Sequence, residues 1–273
     1  MIVNLHQYQD QEIFSFDTVN GDNRTIEAAF ANITSGPTPE AARAAIGAAG
    51  NKNLINNGYF IGNGQPGNFP IDQNGDGTPD RWVITNGNTQ LKFTNSGTII
   101  SNSSTSGGGI ICLRQYFGEN VRNDIPVTVS IFVSEISGTW YFGGRPIPNV
   151  LTQGVGVTTV TVEPSPDNDF AAGFYFWKSS LNPGDYIKVQ VAKMEYGRVQ
   201  TIGHQENGIW ILDERPPEYG AELLKCQRYY QLYSSAAERP AKAVDCRPVM
   251  RIDPTQGTTI IGGVTYYYNN ASL

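Results

Sequence analysis

Short segments with alternating apolar and polar residues constrain the fold of this chain more than any other feature. Valine and isoleucine occupy every second position over residues 127–133 and 187–191, and valines recur among threonines over 155–162. Successive side chains of a strand point to opposite faces, so this period of two predicts strands. The mainly aromatic run at residues 173–177 suits a strand that is buried on both faces.

Turn sequences separate these segments. They are NGN at 86–88, SGG at 106–108, SG at 137–138 and NPGD at 182–185. Short strands at this spacing, with no helical pattern between them, are typical of sandwiches and jelly rolls. We therefore predict a mainly β protein with a jelly-roll-type β-sandwich over residues 51–203.

The segment before the predicted sandwich has a different character. Residues 1–50 are polar and irregular and contain no tryptophan. Thr38, as a cap, and Pro39, at the first helical position, begin a predicted helix of about two turns. Gly47 or Gly50 ends it. A helix this short needs a packing partner, from this chain or from a second copy.

The segment after the sandwich, residues 204–273, predicts a small domain of one helix plus strands. The helix begins at Pro216-Pro217 and runs to about residue 233. Strands follow at 249–252, 258–261 and 264–268, and the glycine pair at 262–263 predicts a two-residue hairpin turn.

The apolar residues of this helix follow a spacing of four and three. They are Tyr219, Leu223, Cys226, Tyr230 and Tyr233. Such a stripe packs either against the rest of the same chain or against symmetry-related copies.

Composition excludes several functional classes. Only 16% of residues are charged, below the roughly 25% typical of soluble domains. The net charge of −6 argues against nucleic acid as the main ligand, because phosphate binding needs an excess of lysine and arginine. No apolar run reaches the length of a membrane span, and residues 1–10 lack the basic and apolar regions of a secretion signal.

Cysteine and histidine spacing excludes a zinc site. Cys112, Cys226 and Cys246 are far apart, and neither His6 nor His204 is adjacent to a cysteine. Three reduced thiols, or a bridge between Cys226 and Cys246, both agree with the sequence.

The sharpest local motif is DQNGDGTPD at residues 72–80, which matches the first nine positions of an EF-hand-type calcium loop. Its expected ligands are side-chain oxygens of four residues and the carbonyl of a fifth: Asp72, Asn74, Asp76, Asp80 and Thr78. Position 12 is Val83 instead of glutamate, and Pro79 prevents the usual exiting helix. The alternatives are a structural calcium ion of millimolar or weaker affinity and a solvated turn.

Aromatic residues are the candidates for sugar binding, because a ring can pack against the apolar face of a sugar. The candidates are Trp82, Trp140, Tyr141, Trp177 and Trp210, with Tyr175 a further aromatic. The alternative is that most of them belong to the sandwich core. Trp140 and Tyr141 follow the turn at 137–138, so we expect this pair to be the most exposed.

An enzymatic function lacks a sequence signature. The chain contains no G-x-S-x-G, no H-E-x-x-H and no P-loop. Loop carboxylates are plentiful, but nothing in the sequence places two of them at the separation used by glycosidases. We therefore predict a protein without catalytic activity.

Several stretches carry a resemblance to known families. NLINNGYF at 53–60 and GTPDRW at 77–82 resemble the opening strand and first loop of carbohydrate-binding jelly-roll modules. Residues 183–197 are similar to the closing strand of such modules in bacteriophage tail-fibre proteins. The CQRYY segment within 219–230 resembles a helix near the C-termini of phage tail-fibre and other virion proteins, and residues 39–50 resemble a linker of such fibres.

The resemblance implies a virion fibre or spike, usually a homotrimer, that recognises a glycan on the host surface. Residues 1–37 would dock to other virion proteins, and the helix from Pro39 would start the trimer axis. Residues 204–273 would form the tip. The chain is short for a long fibre and lacks a repetitive shaft. A structural head fibre or adaptor, and a polysaccharide-depolymerising tail spike, remain the alternatives.

Overall fold

A computed structural model describes residues 52–65, 67–73, 76–85, 88–102, 110–117, 121–152, 154–170, 173–179 and 182–271; for 110–112 and 179 it describes the backbone alone. The predicted docking arm at 1–37 and the predicted helix from Pro39 lie outside these residues.

Ten strands form the body of the structure. In chain order they are β1 (Trp82–Ile84), β2 (Thr89–Thr94), β3 (Gly97–Asn102), β4 (Ile110–Gln115), β5 (Val127–Ser137), β6 (Tyr141–Gly144), β7 (Val150–Leu151), β8 (Gly156–Val162), β9 (Phe174–Ser179) and β10 (Tyr186–Tyr196).

These strands form two antiparallel sheets with jelly-roll topology. The first sheet has the order β2-β3-β10-β5-β8 and the second has the order β1-β4-β9-β6-β7. From β3 to β10 the chain changes sheet at every step except between β6 and β7, which is the eight-stranded jelly-roll path. The predicted mainly β sandwich is thereby confirmed.

The core lies between the two sheets. Val129 and Ile131 of β5 meet Phe174 and Phe176 of β9 in a single cluster of buried side chains. The period of two predicted from residues 127–133 therefore marks the core side of β5 correctly.

The outer side of β5 is buried as well. Two further strands, β11 (Gly203–Glu206) and β12 (Ile209–Leu212), form a hairpin after the sandwich. Phe132 on the outer side of β5 packs with Ile202 and with Trp210 of this hairpin. Residues 173–177 behave differently: Phe174 and Phe176 are fully buried, whereas the side chains between and after them are only half-buried. The prediction of a β9 segment buried on both faces is wrong, because no equivalent hairpin among the described residues packs against that sheet.

A buried ionic network also lies on the outer side of β10. Lys193 is completely buried; it donates to the Thr201 hydroxyl at 2.7 Å and pairs with Glu214. Glu195, equally buried, accepts hydrogen bonds from the Thr201 amide and hydroxyl. Burial raises the pKa of Glu214, although Lys193 opposes that effect. The network ties residues 201–214 to the sandwich.

One buried asparagine connects the segments at 53–60 and 77–82, which carry the resemblance to jelly-roll modules. The Asn57 side chain donates to the Ile71 carbonyl at 2.7 Å and to the Asp80 carbonyl at 3.0 Å, and it accepts from the Ile71 amide at 2.8 Å. The Trp82 indole donates to the Asn57 carbonyl at 3.0 Å. Gly58 follows, where a Cβ would lie 2.5 Å from the Ala192 carbonyl oxygen. These residues therefore join the entering segment to the sandwich.

One α-helix, α1 (Tyr219–Gln227), follows the hairpin. The Glu218 carboxylate caps it by accepting from the amides of Gly220 and Ala221. The predicted extension to residue 233 is wrong, because Tyr230 begins a strand whose backbone pairs with Asn270.

The helix packs within its own chain. Tyr219, Leu223 and Cys226 contact Phe69 and Ile71 in the loop before β1. Of the two alternatives for the apolar stripe of this helix, packing within the same chain is therefore confirmed for these three residues.

The C-terminal sheet contains β13 (Tyr230–Tyr233), β14 (Thr255–Ile261) and β15 (Val264–Asn270) in the order β13-β15-β14. The glycine pair at 262–263 has φ angles of 58° and 82° and forms the predicted two-residue turn. Residues 249–252 form no strand, and that prediction is wrong. Met250 instead packs with Ala243, Cys246 and Ala271.

Cys226 and Cys246 are free and buried, so the bridge between them is excluded and the reduced-thiol alternative holds for this pair. Burial raises the pKa of the Cys226 thiol well above its ordinary value. The described part of the chain contains no helix whose length and apolarity would suit a membrane span.

Candidate functional site

The outer surface of the second sheet carries a row of large side chains. Because side chains alternate along β9, Phe174 and Phe176 point into the core, while Tyr175 and Trp177 lie on the opposite face. Trp177 is in register with Tyr141 of β6, and Tyr175 is in register with Arg114 of β4. We call Arg114, Tyr141, Tyr175 and Trp177 the aromatic face.

The members of the aromatic face make contact in two pairs. The rings of Tyr141 and Trp177 are stacked, with centroids 4.9 Å apart and an interplanar angle of 24°. The Arg114 guanidinium lies 5.8 Å from the centre of the Tyr175 ring and 4.1 Å from that of Tyr116. Such contacts hold a cation and several rings in fixed positions on one surface.

A loop between β6 and β7 forms one side of this surface. A Cβ at Gly143 would lie 2.7 Å from the side-chain oxygen of Asn149 and 2.9 Å from the Pro148 carbonyl oxygen, so glycine lets the loop approach the sheet. The Tyr175 hydroxyl donates to the Asn149 side-chain oxygen at 3.1 Å. The exposed amide of Asn149 therefore stands beside the rings, where a polar ligand would meet both.

The Trp177 indole nitrogen is buried and has no hydrogen-bond partner among the described residues. A buried donor without an acceptor is costly by about 1–3 kcal/mol. An ordered water enclosed beside the indole would remove that cost.

The other predicted sugar-binding tryptophans lie elsewhere. Trp140 is completely buried and donates to the Ser137 carbonyl, so the expectation that it is exposed is wrong. Trp82 is 4% exposed and stacks on Phe176 inside the core. Trp210 packs between the hairpin and β8, where a Cβ at Gly156 would lie 2.0 Å from its ring. The structure thus brings together Tyr141 and Trp177 and separates the other three.

The predicted calcium loop is described except for Asn74 and Gly75. The Asp72 carboxylate accepts from the Gly77 amide at 2.9 Å, and the Asp76 carboxylate accepts from the Thr78 amide at 2.8 Å. Asp80 accepts from the backbone and side-chain amides of Gln73. Within the described ranges, no group of three acidic, histidine or cysteine side chains is arranged to hold a metal ion. Calcium binding by this loop stays a prediction.

One carboxyl group of this loop, that of Asp80, has an unusually high pKa. Burial raises the pKa of Asp80 to about 7; the hydrogen bonds from Gln73 oppose this shift, and the nearby carboxylates of Asp72 and Asp76 add to it. A cation placed among these carboxylates would lower that pKa.

Sequence reasoning missed three residues of this region, namely Arg114, Tyr116 and Asn149. The alternation of residues 113–117, with Leu113, Gln115 and Phe117 buried, places Arg114 on the outer face of β4 and Tyr116 on the same side just after it. That signal was present in the sequence but weak. The position of Asn149 depends on the loop's approach to Gly143 and has no local signal.

Comparisons with known proteins find no matching family model and no matching curated protein. Among solved structures, the enzymatically active domain of tailspike protein 4 of bacteriophage CBA120 is 9% identical over 53% of this chain and 21% of that chain, with a TM-score of 0.34. This chain therefore matches about a fifth of that domain.

Carbohydrate-binding modules are also among the matches. The apo form of a module of BiXyn10A is 12% identical over 43% of this chain and 98% of that chain, with a TM-score of 0.32. A family 29 module from Piromyces equi is 10% identical over 42% of this chain and 80% of that chain, with a TM-score of 0.27. At these identities and TM-scores, the likenesses establish neither a family nor a ligand. The architecture itself defines the class: a jelly-roll-type β-sandwich with an outer aromatic face.

Proposed function

We propose that this protein binds a host-surface glycan through the aromatic face. The observation that carries the proposal is the stacked pair of Tyr141 and Trp177, which lies beside Tyr175 and Arg114 on the outer surface of a sheet. Sugars present apolar C–H surfaces to aromatic rings and hydroxyl groups to amides and guanidinium groups. Aromatic rings and the Arg114 guanidinium lie close together on this face, so one sugar can contact both.

The test is affinity electrophoresis in gels that contain bacterial capsular polysaccharide, lipopolysaccharide O-chains, or neutral glucans and mannans. We expect one of these polymers to retard the wild-type chain and Trp177→Ala to weaken that retardation at least about tenfold, the loss of one well-packed ring contact. Tyr266→Ala, which removes a half-buried tyrosine of β15 away from the aromatic face, serves as the matched control and should migrate like wild type.

Two results would contradict the proposal. Absence of retardation of the wild-type chain by every polymer would favour the purely structural alternative, a head fibre or an adaptor. Equal retardation of wild type and Trp177→Ala would place glycan binding elsewhere. Release of reducing ends from a retarding polymer would favour the depolymerising tail spike over a protein without catalytic activity.

The resemblance of residues 39–50, 53–82, 183–197 and 219–230 supports a wider proposal. The chain would be a fibre or spike of a phage virion, with a docking and trimerising segment at 1–50, the sandwich at 51–203 and a tip domain at 204–273. Residues 1–37 would contact other virion proteins. In a homotrimer, three weak sugar sites would act together, because binding of the first raises the effective concentration for the others.

A further inference from the structure

A cavity of about 320 Å³ lies between the edge of the second sheet and the C-terminal sheet. Its walls include Val83 of β1, Tyr116 just after β4, and Tyr230 of β13. Asp76 and Thr78 of the acidic loop line it as well. We call it the junction pocket. Its volume is at the lower end of the range for small-molecule sites, about 300–1,000 Å³.

The junction pocket adjoins the aromatic face. Tyr116 lines the pocket, and its ring lies 4.1 Å from the guanidinium of Arg114, which belongs to the aromatic face. Val83, a second wall residue, is in register with Arg114 across β1 and β4. Neighbouring strands are about 4.8 Å apart, and β4 lies between β9 and β1. A ligand about 10 Å long that lies across these strands therefore reaches from the aromatic face into the pocket.

The walls of the pocket are held in place from both sides. The Arg81 guanidinium lies 3.3 Å from the centre of the Tyr229 ring, and it donates to the Tyr116 carbonyl oxygen at 2.8 Å. Tyr230 is stacked on Tyr268 with centroids 5.5 Å apart. One arginine therefore links the sandwich to the C-terminal sheet at the pocket, and the pocket is formed before a ligand arrives.

The lining selects a class of ligand. Tyrosine rings offer apolar surface, and the hydroxyl, amide and carboxylate groups of Thr78, Asn270 and Asp76 offer hydrogen bonds. The carboxylate of Asp76 disfavours an anionic ligand, and the Arg81 cation is engaged with Tyr229 and Tyr116. This combination suits a compact, neutral molecule rich in hydroxyl groups.

We infer that the junction pocket is a second subsite, which takes one neutral, hydroxyl-rich sugar unit of the same glycan that lies on the aromatic face. The inference rests on the proposed function and extends it: the ligand is an oligosaccharide that spans both places, and its affinity depends on chain length.

The test uses size-fractionated oligosaccharides of one to six units, prepared by partial hydrolysis of the polymer that retards the full-length protein. Titration calorimetry gives the Kd for each length. For the wild-type chain we expect the Kd to fall as the oligosaccharide becomes long enough to reach the pocket. Val83→Trp, which fills the pocket from an exposed strand position, should remove that gain, with about a tenfold weaker Kd for the long oligosaccharides and an unchanged Kd for the short ones.

Further variants separate a lost subsite from a lost fold. Ile209→Trp, at another exposed β-branched residue in a strand, is the matched control for Val83→Trp and should bind every length like wild type. Thr78→Val changes a wall hydroxyl while keeping the size of the side chain, and it should weaken only the long oligosaccharides. Thermal unfolding midpoints within a few degrees of wild type are required of each variant before its titration is compared.

The outcomes distinguish the two proposals. If Trp177→Ala loses binding while Val83→Trp and Thr78→Val keep the wild-type dependence on length, the pocket is not a subsite and the proposed function stands. If the wild-type chain binds none of the polymers, both the proposed function and the subsite are contradicted. Tighter binding of oligosaccharides with a terminal uronic acid in the pocket would overturn the assignment of a neutral unit.

Discussion

Burial of the Asp80 carboxyl group gives it an unusually high pKa. Asp80 is 9% exposed, and burial raises its pKa to about 7 from an ordinary value of 3.8. Between these two values the folded chain keeps a proton that the unfolded chain has released. Unfolding therefore releases a proton in this range, and the free energy of unfolding decreases as the pH rises from about 4 to about 7.

Asp80→Asn should remove this pH dependence. Asparagine stays neutral at every pH, and its side-chain oxygen can still accept a hydrogen bond from Gln73. We expect the wild-type free energy of unfolding to fall by about 3 kcal/mol more than that of the variant between pH 4.5 and pH 7.5. Urea denaturation at both pH values, in the presence of a chelator, measures the difference.

Parallel pH profiles of the two proteins would contradict the raised pKa. Asp76→Asn is a suitable control, because Asp76 belongs to the same loop but is exposed. Its profile should follow that of wild type much more closely than the profile of Asp80→Asn does.

Among the elements, the hairpin of β11 and β12 depends on one glycine of β8. Gly156 has a φ of 111°, and a Cβ there would lie 2.0 Å from the Trp210 ring. Glycine thus lets Trp210 pack against β8, and the hairpin covers the outer side of β5 as a result. Trp210 belongs to this packing and not to the aromatic face.

Gly156→Ala should destabilise the protein through both a steric clash and backbone strain. Gly154 provides the control, since it has a φ of 104° but open space around its Cβ position. We expect Gly154→Ala to cost about 1 kcal/mol from strain, and Gly156→Ala to cost at least about 2 kcal/mol. Thermal unfolding of both variants measures the difference.

A double variant identifies the clash. In a Trp210→Ala background the extra cost of Gly156→Ala should disappear, which a double-mutant cycle detects as a coupling energy. Equal costs of the two glycine substitutions, with no coupling to Trp210, would show that the hairpin does not depend on this contact.

At the scale of the whole molecule, several large apolar side chains near the C-terminus face solvent in the single chain. Ile260 is 71% exposed, Val244 68% and Val264 55%. Exposed apolar side chains of this kind are covered by a partner in many oligomers. A homotrimer, as proposed, would supply that partner from a second copy.

We expect light scattering to give a solution mass about three times the 29.8 kDa of one chain. The measurement is made with and without a calcium chelator. Dissociation to single chains on chelation would assign calcium a role in assembly, with the loop from Asp72 to Asp80 as the first place to test. A single-chain mass under both conditions would contradict the trimer.

Local patterns in the sequence predicted six strands of this fold, namely β5, β8, β9, β10, β14 and β15, and one turn. The alternation over 127–133 lies within β5, that over 187–191 lies within β10, and the glycine pair at 262–263 forms a hairpin turn. These features follow from the period of two and from the φ angles that glycine allows, which act over a few neighbouring residues. The jelly-roll class follows from the number and spacing of such strands.

Contacts between distant residues determined the rest. The predicted helix from residue 216 ends at Gln227 because Tyr230 pairs with Asn270, forty residues further along the chain. Trp140 and Tyr141 are adjacent in the sequence, yet one is in the core and the other on the aromatic face. Which face of a strand is exposed depends on where the second sheet and the hairpin pack. Burial is a property of the assembled layers, and for that reason the candidate site became visible only when the two sheets were in place.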